Sequence, residues 1–525
     1  MEKDHPRLST ASLLRHGSAL SLLTLVSRVL GLLREMTKAS FLGTSALSDA
    51  FSVAFMLPNL FRRLFAEGSI AVAFIPTYKE YLIEGDRVKN REFLSCIFTF
   101  LTFFVTLAVM AGIIAAPLLI RLFGLEEFNE TVLLTRIMFP FLAFISLAAL
   151  FQGILNSLHI FAPSGLAPIL LNLVTILCAY GLSPYTKNPA RAMAYGIFIG
   201  GFLEAAIQFP FVLKNGQRFF FTGLKRAFAN PGTRKVLRLV GPTIVGMAAY
   251  QLNDLVSTAL AGNAGEGVVS SLQYSLRLQE LILGVFAVSL GTVLLPNLAE
   301  HAKTSRWESF NERLISAINI IALITVPITF FSLAQGELLI RLLFQNRSFD
   351  ENSVKLTLSA FTFHMPGLLF IALSRILAPA FYAQSDTKSP TLAGLISFAV
   401  NILLAAILAR RFRGAGIALA LSLASAVNAV LLLAFLKKNP HIASGRALGA
   451  SLLYTLKLAA LSGAAVIPPL LLSPRLLELF AGKGRIISCG APLAINGVVF
   501  AALGTALLFI TRDRQLRALI RMIKR

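Results

Sequence analysis

Nine basic residues interrupt stretches of sequence that are otherwise apolar: Arg28, Arg34, Lys38, Arg62, Arg63, Arg136, Arg277, Arg375 and Lys457. An arginine at the centre of a membrane helix costs about 2.5–3.5 kcal/mol on insertion scales. Arg28, Arg34, Arg62, Arg277 and Arg375 facing lipid would therefore cost on the order of 12–18 kcal/mol together, so these five must face a polar interior. A guanidinium is a planar, weakly hydrated fork that grips phosphate bidentately, which suits a cavity that strips water from a pyrophosphate. A cationic cavity implies an anionic cargo. Arg28 and Arg34 are six residues apart, which turns them roughly 120° from one another on a helix, so both can border one wide cavity. Glu35 and Asp49 supply carboxylates to hold such guanidiniums when no ligand is present. Lys38, Arg136 and Lys457 lie near span ends, where long cationic side chains reach the polar interface. Two acids stand apart in apolar surroundings. Glu204 reads as neutralising a loop cation. Asp254, beside Asn253 and with Asn401 available from another span, has two open readings: a candidate site for Na⁺ or a proton, or a structural pairing.

The chemistry of soluble enzymes is missing. There is no Walker A sequence, no Gly-x-Ser-x-Gly and no His-Glu-x-x-His, so no catalytic residue is assigned and ATP hydrolysis by this chain is not expected. Cys96, Cys178 and Cys489 sit in apolar stretches without metal-ligand spacing, and the histidines are dispersed from His5 to His441. Neither a disulfide framework nor a metal site follows, and no cofactor is expected apart from a coupling cation.

The elements that must position those charges are membrane helices. Of 525 residues, 56% are hydrophobic and 14% charged, with 42 Phe against one Trp; mean hydropathy is +0.75. That excludes a soluble globular chain. Breaks at polar, Pro and Gly positions give about fourteen spans, which at about 20 residues each would use about 280 residues. They begin near Ala19, Leu47, Phe93, Val132, Gly165, Ala192, Val236, Leu272, Leu314, Leu356, Thr391, Ala415, Leu448 and Ile486. With both termini cytoplasmic, Lys and Arg number about 27 in the inner segments and about 12 in the outer ones, so the positive-inside rule favours that orientation. The net charge of +23 then reads as inner loops facing anionic lipid rather than nucleic acid. Its main contributors are Lys214 to Arg238, an interfacial amphipathic linker, and the tail Arg512, Arg514, Arg517, Arg521, Lys524 and Arg525. Residues 1–16 are short and polar, and no cleavage site precedes the first arginines, so no removable leader is expected.

The chain also contains a weak internal repeat. Ala71-Val72-Ala73-Phe74-Ile75-Pro76 through Glu80 is similar to Gly291-Thr292-Val293-Leu294-Leu295-Pro296 through Glu300, about 220 residues on. Pro163 to Asn172 is similar to Pro390 to Asn401 at nearly the same spacing. A period of six spans gives halves of the same orientation. The expected fold is an all-α polytopic membrane protein with two six-helix lobes in parallel pseudo-repeat plus a C-terminal helix pair. The first lobe is residues 1–214, the basic linker 215–235, the second lobe 236–438, and the terminal pair with its tail 439–525. Gly196-x-x-x-Gly200 marks a candidate close approach of two helices.

Val26-Ser27-Arg28-Val29-Leu30-Gly31-Leu32-Leu33-Arg34-Glu35, Ser48-Asp49-Ala50-Phe51 and Leu57-Pro58-Asn59-Leu60-Phe61-Arg62-Arg63 through Gly68 resemble the opening of the MurJ (MviN) lipid II flippases. The likeness continues through Gln152 to Asn156, Tyr274 to Leu278, Leu290 to Pro296 and Leu377 to Ala383, and so covers essentially the whole chain. It implies the fourteen-helix architecture of the multidrug/oligosaccharidyl-lipid/polysaccharide exporter superfamily, with the terminal pair forming a groove for a lipid tail. The implied cargo is lipid II, undecaprenyl-pyrophosphate-linked disaccharide pentapeptide, moved to the outer leaflet of the bacterial cytoplasmic membrane by alternating access for peptidoglycan synthesis. The family's functional arginines fall on Arg28, Arg34, Arg62 and Arg277, its acids on Glu35 and Asp49, and a basic residue of the tenth span on Arg375. Met56 stands where some relatives have Lys, and Glu35 where Asp is common. Of the cation site known in the family, Asp254 and Asn401 match, while Ala405 replaces a second acid. The expected partners are lipid II and membrane lipids, with no nucleic acid, and the chain is expected to be a monomer. Rival readings are an exporter of another polyprenyl-pyrophosphate glycan or of a drug in the same fold, and a membrane glycosyltransferase or polymerase. Drug exporters would present acids to cationic compounds. A polymerase would need a catalytic carboxylate and a large outer loop, but the longest outer loop, Gly336 to Lys355, is short.

Overall fold

The computed structural model describes residues 10–63, 73–437, 442, 445–513 and 515–517, with side chains described except at 10–22, 242–250 and 284–297. Part of the first repeat motif (Ala71, Val72), the end of the Leu57 to Gly68 motif, the side chains of its counterpart around Pro296, and Arg514, Arg521, Lys524 and Arg525 of the tail lie outside what is described. Among the described residues there are helices and no strand. They gather into two compact units, residues 1–266 and 267–525.

The first unit contains α1 (Thr10–Leu42), α2 (Ala46–Arg62), α3 (Ile75–Glu84), α4 (Arg87–Arg121), α5 (Phe128–Met138), α6 (Phe141–Ser157), α7 (Ala162–Leu182), α8 (Pro189–Lys214), α9 (Leu224–Ala229) and α10 (Pro231–Gly262). Local sequence sets the ends. Gly85, at φ 74°, stops α3, and Asp86 then starts α4 by accepting from the amides of Val88 and Lys89 at 2.9 and 3.1 Å. Ser45, Asn188 and Asn230 cap α2, α8 and α10 in the same way. Gly196 and Gly200 of α8 lie where the α7 backbone approaches: a Cβ at Gly196 would sit 2.8 Å from Thr175 Cα, and one at Gly200 3.1 Å from Leu171 Cα. The close approach read from that spacing is therefore present, and it is within the chain.

The second unit contains α11 (Val268–Lys303), α12 (Trp307–Phe344), α13 (Glu351–His364), α14 (Gly367–Tyr382), α15 (Lys388–Leu436), α16 (Gly445–Leu479) and α17 (Arg485–Ile510). At about 1.5 Å per residue, the 49 residues of α15 would run about 74 Å, more than twice a hydrocarbon core of about 30 Å. The run in fact turns at Arg413 (φ 49°, ψ −128°), which makes it two helices. α16 and α17 pack on each other and on α12.

Among the described residues, eight helices are long and apolar enough to cross a membrane, or nine when α13 and α14, bent by 47°, are taken as one broken span. α2, of 17 residues, is shorter than such a span, and parts of α1, α10 and α11 lie outside the fully described residues. The chain is a multi-pass, all-helical membrane protein. Each unit also carries a span broken at a proline, Phe139-Pro140 between α5 and α6 and Met365-Pro366 between α13 and α14.

Candidate functional site

Helical spacing puts Arg34 and Lys38 one turn apart on α1, with Glu35 three residues before Lys38. Facing them on α2 are Asp49, Ser52 and Phe55 at the same spacing. The Arg34 guanidinium meets Glu35 at 2.9 Å and lies over the Phe55 ring, 5.5 Å from its centroid. Lys38 donates from Nζ to Ser52 Oγ at 2.7 Å. Lys38 and Asp49 are 3% and 2% exposed, and Glu35 and Asp49 are the carboxylates that act on the lysine's charge. The sequence reading sent Lys38 to the membrane surface. The structure buries it, and it joins Glu35 in balancing the cluster. Its signal was the i, i+4 spacing from Arg34, but its partner Ser52 sits on another helix and carries no mark in the sequence.

Arg28 is half-buried higher on α1. The preceding carbonyl, of Ser27, accepts from Asn172 Nδ2 of α7 at 3.3 Å, which fixes that turn of the helix. At the far end of α2, Arg62 Nε donates to Asn59 Oδ1 at 2.7 Å. Arg63 lies 3.8 Å from Asp254 of α10 with both groups part-exposed.

In the second unit Arg277 is on α11, its NH1 3.3 Å from Glu280 and its Nε buried with no acceptor among the described residues. Arg375 is exposed on α14, and Asn401 is buried on α15 beside a fully buried Ala405. The residues flanking Arg277 do something sequence reasoning missed. Breaking a helix at Pro366 strands the carbonyls of the preceding turn. Gln279 Nε2 donates to the His364 carbonyl, Ser422 Oγ to that of Phe363, and Ser275 Oγ lies 2.6 Å from His364 Nδ1. α11, the α13–α14 break and the second half of α15 are thereby tied in a buried, uncharged knot. The proline two residues after a histidine was the available signal. A similar neutral cluster ties the last helices down: Asn496 of α17 donates to Gln335 Oε1 of α12 at 3.1 Å and to Ser473 Oγ of α16 at 2.8 Å.

Arg28, Arg34 and Arg62 thus lie on α1 and α2 of the first unit, and Arg277 and Arg375 on α11 and α14 of the second. No group of three or more His, Cys, Asp or Glu side chains stands together among the described residues.

The sequence profile of the family "Lipid II flippase MurJ" matches residues 38–478. The chain belongs to the MurJ family. Similar proteins include a "Probable lipid II flippase MurJ" of Treponema pallidum, 45% identical over 522 residues, 98% of this chain and 99% of the relative. Another, from Vibrio cholerae, is 33% identical over 80% of this chain and 82% of its own. Among solved structures, a lipid II flippase MurJ in an inward closed conformation superposes with a TM-score of 0.75 at 25% identity, covering 94% of this chain and 99% of its own. An inward-facing multidrug resistance MATE transporter of the MOP superfamily gives 0.65 at 13% identity over 79% of this chain and 96% of its own, a likeness of fold alone. The MurJ match includes the helices bearing Arg62, Arg277 and Arg375. The relative in Treponema extends the similarity over Arg28 and Arg34.

Proposed function

We propose that this protein flips lipid II across the bacterial cytoplasmic membrane; it is a transporter rather than an enzyme. The observation that carries this is the 45% identity over nearly the full length of a MurJ relative. The decisive experiment depletes the protein in its host and scores the leaflet on which lipid II collects. Accumulation on the inner leaflet is expected, and an unchanged distribution would overturn the reading.

The finer mechanism has its own supports. Arg28, Arg34, Arg62, Arg277 and Arg375 grip the pyrophosphate. Holding guanidiniums within a membrane without an anion is costly, and the Arg277 Nε is buried with no acceptor among the described residues. Glu35 and Asp49 stand in for the cargo between turnovers. The fourteen-span arrangement, with two six-helix lobes and a terminal pair, is supported by a helical segment at each expected span start and by the proline-broken span in each unit. The lobes, 1–214 and 236–438, follow the sequence repeat. The terminal pair from 439 shelters the prenyl chain. The protein is a monomer with both termini cytoplasmic, working by alternating access.

The driver is an ion gradient or the membrane potential. Asp254 and Asn401 are the candidate cation ligands. With Arg63 beside Asp254 and Ala405 in place of a second acid, a proton or the potential suits the residues better than Na⁺. An ion that binds both transport states equally would drive nothing, so any coupling ion must prefer one of them.

A further inference from the structure

The segment from Lys214 to Arg238 holds seven basic residues and no acid, and none occurs anywhere between Glu204 and Asp254. The structure shows where this charge is held. Residues 217–223 run extended along the first half of α4 and lead into α9. The strap is fixed there by its backbone: the Phe220 amide donates to Ser95 Oγ at 3.2 Å and the Thr222 amide to Thr99 Oγ1 at 2.9 Å. Asn90 donates to Gln217 at 3.1 Å, and Arg226 pairs with Glu92 at 2.8 Å. Aromatic contacts run the same length. Phe219 and Phe221 lie against Phe98, with centroids 4.7 and 5.0 Å away, and Phe228 lies against Phe100 and Phe104. The Arg91 guanidinium sits 4.2 Å above the Phe220 ring.

Two properties of this strap point outward. Phe220, Phe221 and Phe228 are 48%, 68% and 41% exposed, a large apolar area for a surface connection. Of its seven cations, Arg226 and Lys235 have carboxylate partners in Glu92 and Glu80. Lys214, Arg218, Lys225, Arg234 and Arg238 are exposed, with none among the described residues. α4 serves as a ruler for depth. Its 35 residues span about 52 Å against a hydrocarbon core of about 30 Å, so one end stands outside the core. Its exposed apolar face begins at Phe103 and continues through Leu107, Ile114 and Leu118, whereas Arg87, Lys89 and Arg91 mark its polar end, about 18 Å away. Phe228, against Phe104, touches the top of the lipid-facing stripe, and the unmatched cations lie on the polar side.

We propose that this strap is a docking surface for the anionic phospholipid headgroups of the leaflet it borders, its phenylalanines seated at the headgroup–acyl boundary and its cations on the lipid phosphates. Rows of exposed aromatics beside unpaired Lys and Arg are the interfacial pattern. The cations are spread along 25 residues of open surface, which fits a layer of headgroups rather than one enclosed pyrophosphate. Continuity with the lipid-facing stripe of α4 excludes the strap from a solvent-borne nucleic-acid surface.

The test uses the full chain in vesicles that mix spin-labelled phosphatidylglycerol or phosphatidylcholine with unlabelled phosphatidylcholine. The unmodified protein should immobilise phosphatidylglycerol at least twofold more strongly. The preference should fall by half or more in Lys225→Gln/Arg234→Gln/Arg238→Gln, and on raising salt. Equal association of the two lipids, or a preference untouched by the triple variant, overturns the proposal. Inorganic pyrophosphate should leave the preference intact; displacement by it would show a site for the cargo's chemistry instead. A local probe, Phe221→Trp with Trp307→Phe, should be quenched more by brominated phosphatidylglycerol than by brominated phosphatidylcholine. Absence of quenching by either would place the strap in water and sink the idea. If that variant fails to fold, the spin-label comparison on the unmodified and triple-variant chains still decides.

Discussion

The α1–α2 cluster of the first unit and the knot around His364 in the second solve the same problem with opposite chemistry. Both bury polar groups in a membrane protein. In the cluster the groups are charged: Arg34 against Glu35, and buried Lys38 between the influence of Glu35 and Asp49. In the knot they are neutral: two stranded carbonyls and an imidazole taken by Gln279, Ser422 and Ser275. A set of ion pairs can exchange one anion for another, because each guanidinium accepts a carboxylate or a phosphate on equal geometric terms. A satisfied neutral knot has nothing to exchange, and its role is to keep a broken helix in one shape. The difference sets an exchangeable kind of contact on α1 and α2 against a fixed, neutral one around the α13–α14 break.

Removing the arginines should have the largest effect. Arg34→Ala and Arg277→Ala should each abolish complementation of a depleted host at normal expression. Lys replacements should restore well under the full rate, because the planar fork is lost, and for Arg34 the stacking on Phe55 as well. Fully active alanine variants would remove these residues from the pyrophosphate site. Lys38→Met comes next. It leaves buried Asp49 and part-buried Glu35 short of a cation, which for a buried pair costs about 3–5 kcal/mol, and should appear as a large drop in thermal midpoint in detergent. Unchanged stability would mean that Arg34 alone balances both acids.

In the knot, Gln279→Leu leaves the His364 carbonyl only the longer bond from Ser422 Oγ at 3.4 Å and should cost about 1 kcal/mol of stability. The comparison is sharpened by its transport phenotype, expected as slower flipping at unchanged lipid II affinity; a loss of affinity would instead place the knot in the site. Asp254→Asn removes one side of a part-exposed pair worth about 0–1 kcal/mol, so the thermal midpoint should hardly move. If Asp254 carries the coupling ion, the same change erases any pH or Na⁺ dependence of flipping in proteoliposomes. Dependence that persists assigns it to structure.

The smallest effect lies outside both regions. Asp386 caps the start of α15, and the Ser389 hydroxyl and amide hold its carboxyl below the usual range. A carboxylate with a lowered folded pKa contributes stability above its unfolded pKa and loses it as pH falls through the folded one. Asp386→Ala should therefore cost about 1 kcal/mol near neutrality and progressively less below about pH 4. A deficit independent of pH would contradict the ionised cap.

How far the sequence reaches follows from what holds each feature. Spans such as α4, α12 and α17 are legible because burial in lipid demands an apolar run, which one helix displays by itself. α1, α2 and α11 carry charges within their runs, so they are placed by their flanking loops rather than by hydropathy alone. The arginines were visible for the same reason, as expensive exceptions. What escaped was pairing between distant elements: Ser52 beneath Lys38, Arg63 beside Asp254, Gln335 between Ser473 and Asn496. Ser52, Gln335, Ser473 and Asn496 are ordinary in their own windows, and Lys38, Arg63 and Asp254, conspicuous as they are, do not name their partners, which only the tertiary fold supplies.

The turn at Arg413 has a mechanical consequence. It joins the halves of α15 with one non-helical residue, and Gly416 is pressed so close to Leu408 that a Cβ there would lie 2.4 Å from the Leu408 oxygen. A connection with no spare chain cannot spool out under load. Tension applied to one half reaches the other at once, so in single-molecule pulling the two should leave the bilayer in one step, where helices joined by longer loops leave in two.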